Sequence, residues 1–322
     1  MYKLGKGLKI IMPTLLAFVM QLQAAPLKIA YSDWPGWVAW EIAIQKGWFK
    51  DAGVDVEFKW FEYVPSMDAY SAGKVDAVCM TNGDALVTGS TGAPSVAILL
   101  NDFSNGNDMV VAKPGIESIK QLKGKNVGVE VGFVSHLLLL HALKSANMTE
   151  EDIVIVNMPT DQTPQGLGSG KVDAIVAWQP NSGQALKALP GSKMIFSSAD
   201  VKGIIYDVLA VNPKSLAENK ADWKKVIEVW FKIAEYISDE KNEADYLAIM
   251  SAKVGLTPAE YKPLLKGTHI LDQKGNLFHF KKSDGLESLY GSNKEANKFN
   301  VDYKVYEKSL DSASYIDSSL IK

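Results

Sequence analysis

The chain has 322 residues, 47% hydrophobic and 22% charged, with 34 basic against 37 acidic side chains and a formal charge of −3. That composition excludes a disordered, collagen-like or low-complexity chain, and the mildly acidic balance excludes a nucleic-acid binder or a basic membrane-surface protein. A single cysteine, Cys79, excludes an internal disulfide and a cysteine-based zinc cluster.

All 34 basic side chains are lysines, so any anion site lacks the bidentate arginine fork and must rely on lysine, hydroxyls or backbone N–H groups. At this length two domains are expected, because single cores stop growing near about 250–300 residues.

Residues 1–24 read as a secretory signal peptide cleaved near Ala24. Lys3, Lys6 and Lys9 precede an apolar run over 10–20, and small residues follow. The run is shorter than the roughly 20 apolar residues a bilayer span needs. Its removal takes the formal charge from −3 to −6, and a soluble periplasmic protein is expected.

A strand over 27–31 leads through the loop Ser32-Asp33-Trp34-Pro35-Gly36-Trp37 into a helix over 38–49, closed near Gly53. A strand over 54–60, a helical turn over 67–72 ending at Gly73, and a strand over 75–80 follow. The same order returns from Lys125: a strand over 127–131, a helix over 136–146, a strand over 153–156, and a strand running to Trp178. Gly73-Lys74-Val75-Asp76-Ala77-Val78 and Gly170-Lys171-Val172-Asp173-Ala174-Ile175 mark the repeat, 97 residues apart.

Alternating strands and helices imply parallel, right-handed βαβ units. Two copies imply two similar α/β lobes. The stretches 96–112, with a polar turn over 101–107, and 204–211 read as crossings between them. The expected division is 25–107 with 207–322 as a discontinuous first lobe and 108–206 as the second. From Leu216 on, helices are expected over 223–237, 244–254, 258–265 and 294–306, with a hairpin-type turn at 272–276.

Ligand sites in open parallel sheets lie beyond the carboxyl ends of the strands. That rule selects the loops 32–37, 81–84, 130–136 and 178–181, two from each lobe. The candidate binding residues are Asp33, Trp34, Trp37, Thr81, Asn82, Asp84, Glu130, Phe133, Ser135, His136, Trp178 and, on the returning strand, Asp207. Plain structural roles stand beside these. Asp33 and Asp84 also suit helix caps, Trp34 and Trp37 suit a core, and His136 suits a satisfied histidine at a helix start.

Several motifs resemble a known family: Leu27-Lys28-Ile29-Ala30-Tyr31, Lys46-Gly47-Trp48-Phe49-Lys50-Asp51-Ala52-Gly53-Val54, Ala72-Gly73-Lys74-Val75-Asp76-Ala77 and the run from Ser118 to Val129. Together they resemble the solute-binding component of an ABC importer of the nitrate/taurine/sulfonate type, a group that includes thiamine-precursor binders. The resemblance covers nearly the whole mature chain. It implies a type II periplasmic-binding fold, two Rossmann-like α/β lobes on a two-crossing hinge, that closes over a small molecule and delivers it to an inner-membrane permease. A monomer without cofactor or metal is expected. Asp33-Trp34-Pro35-Gly36-Trp37 and Met80-Thr81-Asn82-Gly83-Asp84 are more similar to a subgroup found beside urea-carboxylase-type genes, which implies urea or guanidinium as solute.

The sulfonate-type relatives place hydroxyls at the helix start of the second lobe. Here Phe133 and Val134 stand there, with Glu130 just before. A carboxylate repels an anion, and no arginine compensates. A planar cation fits better, stacked on Trp34, Trp37, Phe133 and Trp178 and neutralised by Asp33, Asp84 and Glu130. A sulfonate, nitrate or thiamine-precursor solute is the alternative.

Catalysis is not expected. Four histidines show no metal-ligand spacing, no nucleophile elbow occurs, and the Gly166–Lys171 stretch fails the Walker pattern. A synthase on the same fold uses a cysteine- and histidine-rich motif, which one cysteine does not supply. A ligand-binding sensor domain is the other rival.

Overall fold

A computed structural model describes residues 25–321. The expected signal peptide lies outside the described residues.

Among the described residues, eleven strands form two sheets. They are β1 (Leu27–Tyr31), β2 (Val56–Trp60), β3 (Ala77–Thr81), β4 (Val96–Ser104), β5 (Met109–Ala112), β6 (Asn126–Val129), β7 (Val154–Asn157), β8 (Ala174–Ala177), β9 (Lys193–Ser197), β10 (Tyr206–Val211) and β11 (Thr268–Ile270). The six-stranded sheet has the order β11-β4-β10-β3-β1-β2 and the five-stranded sheet the order β7-β6-β8-β5-β9. In each, a parallel trio is extended by antiparallel strands. β1 lies between β2 and β3, and β6 lies between β7 and β8. This is the mixed α/β architecture that the repeat predicts.

The repeat marker has a physical basis. Gly73 and Gly170 take left-handed backbones, φ +67° and +74°, where each preceding helix turns back toward its strand. Three residues on, Asp76 accepts the Lys28 N–H and Asp173 accepts the Asn126 N–H, both at 2.9 Å. Each aspartate thus ties the start of the neighbouring strand, so the motif recurs with the fold unit.

The chain leaves the first sheet after β4, enters the second through β5, and returns from β9 to β10. Ser104 and Ser198, one on each crossing, meet hydroxyl to hydroxyl at 2.7 Å, and Ser198 also accepts the Gly106 N–H at 2.7 Å. The core runs continuously through both sheets and includes Trp40, Trp223 and Trp230, all fully buried.

Several expectations change. The single helix expected over 38–49 is three short ones, Pro35–Val38, Trp40–Lys46 and Trp48–Asp51, with left-handed Gly47 ending the second, and the helix expected over 294–306 is Leu289–Asp302. The polar stretch 101–107 is strand as far as Ser104, because β10 and β11 pair with both edges of β4. Asn101 is an extra residue there: Val208 pairs with Leu100 but Asp207 with Asp102, a β-bulge. The Asn276 side chain holds the strand beside it, accepting from Leu100 N at 2.8 Å and donating to Leu100 O at 2.9 Å. The expected hairpin turn at 272–276 is instead a helix start, Gln273–His279, with the Asp272 carboxylate accepting the Gly275 N–H. The helical turn placed at 67–72 begins earlier, as the helix Tyr63–Ser71.

Candidate functional site

Between the two sheets lies a small chamber. Trp34, Trp37, Tyr63 and Thr81 line it from the first half, Val134 and Trp178 from the second, and Asp108, Ile205 and Asp207 from the crossings. Its volume is about 10 Å³, room for about one water. Tyr63 and Trp178 also border a vestibule of about 350 Å³. Five carboxylates line that vestibule, from Asp33, Glu62, Asp68, Glu130 and Asp161, and among the described residues no basic side chain lines either space.

The chamber walls are aromatic. Trp37 stacks on Tyr63, with ring centres 5.4 Å apart and planes 20° apart. Trp34 meets Trp37 edge-on at 6.4 Å, and Trp178 reaches across from the second half to meet Tyr63 edge-on at 5.1 Å. Pro35 begins the helix Pro35–Val38 with Trp34 as its N-cap, which sets both tryptophans on one turn. Gly36 allows this turn to press on β4, since a Cβ there would lie 1.8 Å from Asp102 Oδ2.

The acids form a buried chain. Asp102 and Asp207 are direct cross-strand partners on β4 and β10 and are fully buried. Asp102 Oδ1 accepts the Trp34 indole N–H at 2.9 Å. Asp102 Oδ2, Asp108 Oδ2 and Asp207 Oδ2 are buried without a protein donor. Burial pushes Asp102 and Asp108 up to about 7. Asp207 is raised well above the usual carboxylate range, by burial first and then by Asp102 and Asp108.

Asp84 accepts the Tyr63 hydroxyl at 2.5 Å. Burial raises it to about 6, against the pull of Tyr63, Thr81 and the backbone N–H of Val134. That N–H belongs to the first residue of the helix Val134–Ser145, so Asp84 of the first half sits at a helix N-terminus of the second. Such an end favours an anion, and here the protein supplies the anion itself.

Asp33 accepts from Trp178 Nε1 at 3.5 Å and Asn181 Nδ2 at 3.2 Å, both from the second half. Burial raises it to about 6. Glu130, raised to about 7 by burial, accepts the Thr160 hydroxyl at 3.0 Å.

The structure thus brings Trp34, Trp37, Thr81, Trp178 and Asp207 to the chamber, Asp33 and Glu130 to the vestibule, and Asp84 to the layer behind Tyr63. Neither Asp33 nor Asp84 is the N-cap of the helix beside it in the chain: Trp34 holds that place for Pro35–Val38 and Thr81 for Asn82–Ser90.

Asn82, Phe133, Ser135 and His136 line neither space. Asn82 is spent on packing, donating to Ser292 and Asn293 and accepting the Tyr206 N–H. His136 is held by Glu150 at 2.8 Å and accepts the Gly132 N–H at 3.2 Å, the satisfied helix-start role. Phe133 is the N-cap residue of that helix and Ser135 is buried within its first turn.

Tyr63, Asp102 and Asp108 are the acids and phenol that sequence reasoning missed. Pro65 three residues into Tyr63–Ser71 was the available signal for Tyr63, since proline belongs in a first helical turn. Among the described residues no cluster of three or more His, Cys, Asp or Glu is placed to hold a metal.

The sequence model of the NMT1/THI5-like family matches residues 35–244. The chain belongs to that family. A Brucella abortus (strain 2308) protein described as a candidate binding protein is 30% identical over 189 residues, 58% of this chain and 58% of its own length. A Bacillus subtilis (strain 168) protein described as a candidate aliphatic-sulfonates-binding protein is 24% identical over 289 residues, 87% of this chain and 83% of that one. The alkanesulfonate-binding protein SsuA from Xanthomonas axonopodis pv. citri, solved with MOPS, superposes with a TM-score of 0.75 at 15% identity, covering 91% of this chain and 99% of that one. The fold is therefore that of the periplasmic binding proteins.

Proposed function

We propose that this family member is the periplasmic solute-binding component of an ABC importer. It captures a small planar nitrogen compound, guanidinium or urea, by closure of two lobes, 25–107 with 207–322 and 108–206, and delivers it to a membrane permease.

One observation carries the choice of solute: an aromatic chamber holding the buried acids Asp108 and Asp207, beside a vestibule of five carboxylates that shares Tyr63 and Trp178 with it, with no basic lining residue among the described residues. A cation gains charge-assisted hydrogen bonds there and stacks on the indoles. The vestibule also concentrates cations at the entrance. As it stands the chamber holds about one water, so even a solute of four heavy atoms needs the lobes to part to admit it and is gripped as they close.

The names of the sulfonate-binding relatives favour an anion. The chemistry of this chamber opposes that reading. Asp84 already occupies the N-terminal end of Val134–Ser145, where an anion gains most.

The test is a thermal-shift panel on the purified protein with guanidinium, urea, taurine, an alkane sulfonate, nitrate and a thiamine precursor. Ligand at 100 times its Kd adds about 2.7 kcal/mol of stability. A shift with guanidinium or urea supports the proposal; a shift with sulfonates alone defeats it.

A further inference from the structure

We infer that the solute cation enters the chamber in exchange for a proton shared between Asp102 and Asp207, with Asp108 as the second carboxylate that meets the cation. This rests on the reading of the solute as a cation and adds a mechanism and two residues to it.

The argument begins with register. Asp102 and Asp207 face each other directly across β4 and β10, a placement that is destabilising when both partners are charged. Both are at least nine-tenths buried, as is Asp108, and each has an oxygen with no protein donor. Two adjoining buried carboxylates hold one proton between them.

Among the described residues, the titratable groups that act on them bring no positive charge. Cys79 on β3 and Tyr261 on the helix Pro258–Tyr261 are held neutral, burial pushing both upward. Tyr63 on Tyr63–Ser71 is likewise raised well above its usual value, by burial first and then by Asp84. Asp84 on Asn82–Ser90 adds further acidity. Trp34 donates an N–H but no charge.

Without a cation, the shared proton is what relieves the pair. With one, the carboxyl O–H is broken, its proton passes to the buffer, and N–H donors of the cation take its place. Asp207 and Asp108 line the chamber and meet the solute, whereas Asp102 does not line it and acts through Asp207.

Two solutes separate this from simple charge attraction. Guanidinium brings a positive charge and expels the proton. Urea is neutral and leaves it in place.

The experiment is isothermal titration of the purified protein with guanidinium and with urea, in two buffers of different ionisation enthalpy, from pH 5.5 to 8. Between pH 7 and 8, where Asp108 is already mostly ionised, the expected result is one proton released per guanidinium and a Kd that falls about tenfold per pH unit. Urea should release none.

Asp102→Asn should flatten the guanidinium pH profile, because Asp207 then ionises without a competitor; a merely structural role would shift affinity equally at every pH. Guanidinium binding with no proton release and no pH slope overturns the exchange while leaving the cation reading intact. Failure of both solutes at every pH defeats that reading and the exchange with it. Ligand-free stability of the wild type and of Asp207→Asn between pH 4.5 and 8 then tests the shared proton separately. A wild-type decline with pH that the variant lacks supports it, and parallel curves overturn it.

Discussion

The loops 32–37 and 130–136 follow β1 and β6, the central strands of the parallel trios in the two sheets, and so hold equivalent places in the repeat. They have been put to different uses. The first delivers two buried indoles to the chamber and presses a glycine onto Asp102. The second turns its histidine away to Glu150 and gives the chamber only Val134. Most of the aromatic wall therefore belongs to the first half and the crossings bring the deepest acids, while the second half adds Trp178 and Glu130 as a cover. A cation would bind the first half in the open form, and closure would then mainly slow its escape.

Four substitutions sharpen or break that comparison. Asp207→Asn should have the largest effect. Losing one partner of a buried charge pair costs about 2–5 kcal/mol, so guanidinium Kd measured by titration calorimetry should rise about 30-fold or more. The same variant should stabilise the ligand-free protein at neutral pH. The sign follows from linkage: a raised carboxylate contributes stability that is complete below the unfolded value near 4 and is lost as pH rises through the folded value. The wild-type melting temperature should fall across that window, and the variant's should fall less.

Trp178→Ala removes the cover's aromatic face. A cation–π contact of about 1–2 kcal/mol implies a Kd rise of roughly 5- to 30-fold, read in stopped-flow as faster dissociation with association little changed. Glu130→Gln should cost about tenfold or less, because Glu130 borders the vestibule rather than the chamber. An effect as large as that of Asp207→Asn would break the proposed asymmetry. His136→Gln should leave Kd within about twofold and lower stability by about 1 kcal/mol through the lost Glu150 contact, as read from urea unfolding.

What the sequence made legible follows the same division. The repeat was visible because Gly73, Gly170, Asp76 and Asp173 do identical backbone work in both halves. Asp33, Trp34, Trp37 and Trp178 were visible because strand ends point at a cleft in this class of sheet. Asp102 and Asp108 were hidden inside a run of Asn, Ser and Gly that has the composition of a turn. Only the pairing of β4 with β10 and β11, which is non-local, keeps that run extended as far as Ser104. Asp272 was misread for a related reason: an aspartate ahead of glycine serves an Asx turn and a helix N-cap equally well. His136 looked like a site residue because its partner, Glu150, lies beyond the far end of its helix.

The bulge at Asn101 carries a further consequence. In strict register the residue after Leu100 would face Asp207, and that residue is Asn101; Asp102 would then face Tyr206. Asp102 meets Asp207 because Asn101 is left out of the pairing with β10. Deleting Asn101 would remove the bulge and still leave Asp102, now directly after Leu100, opposite Asp207. Pulling Asn101 into the ladder instead would part the two acids without changing either, so their meeting depends on a residue that has no partner on β10.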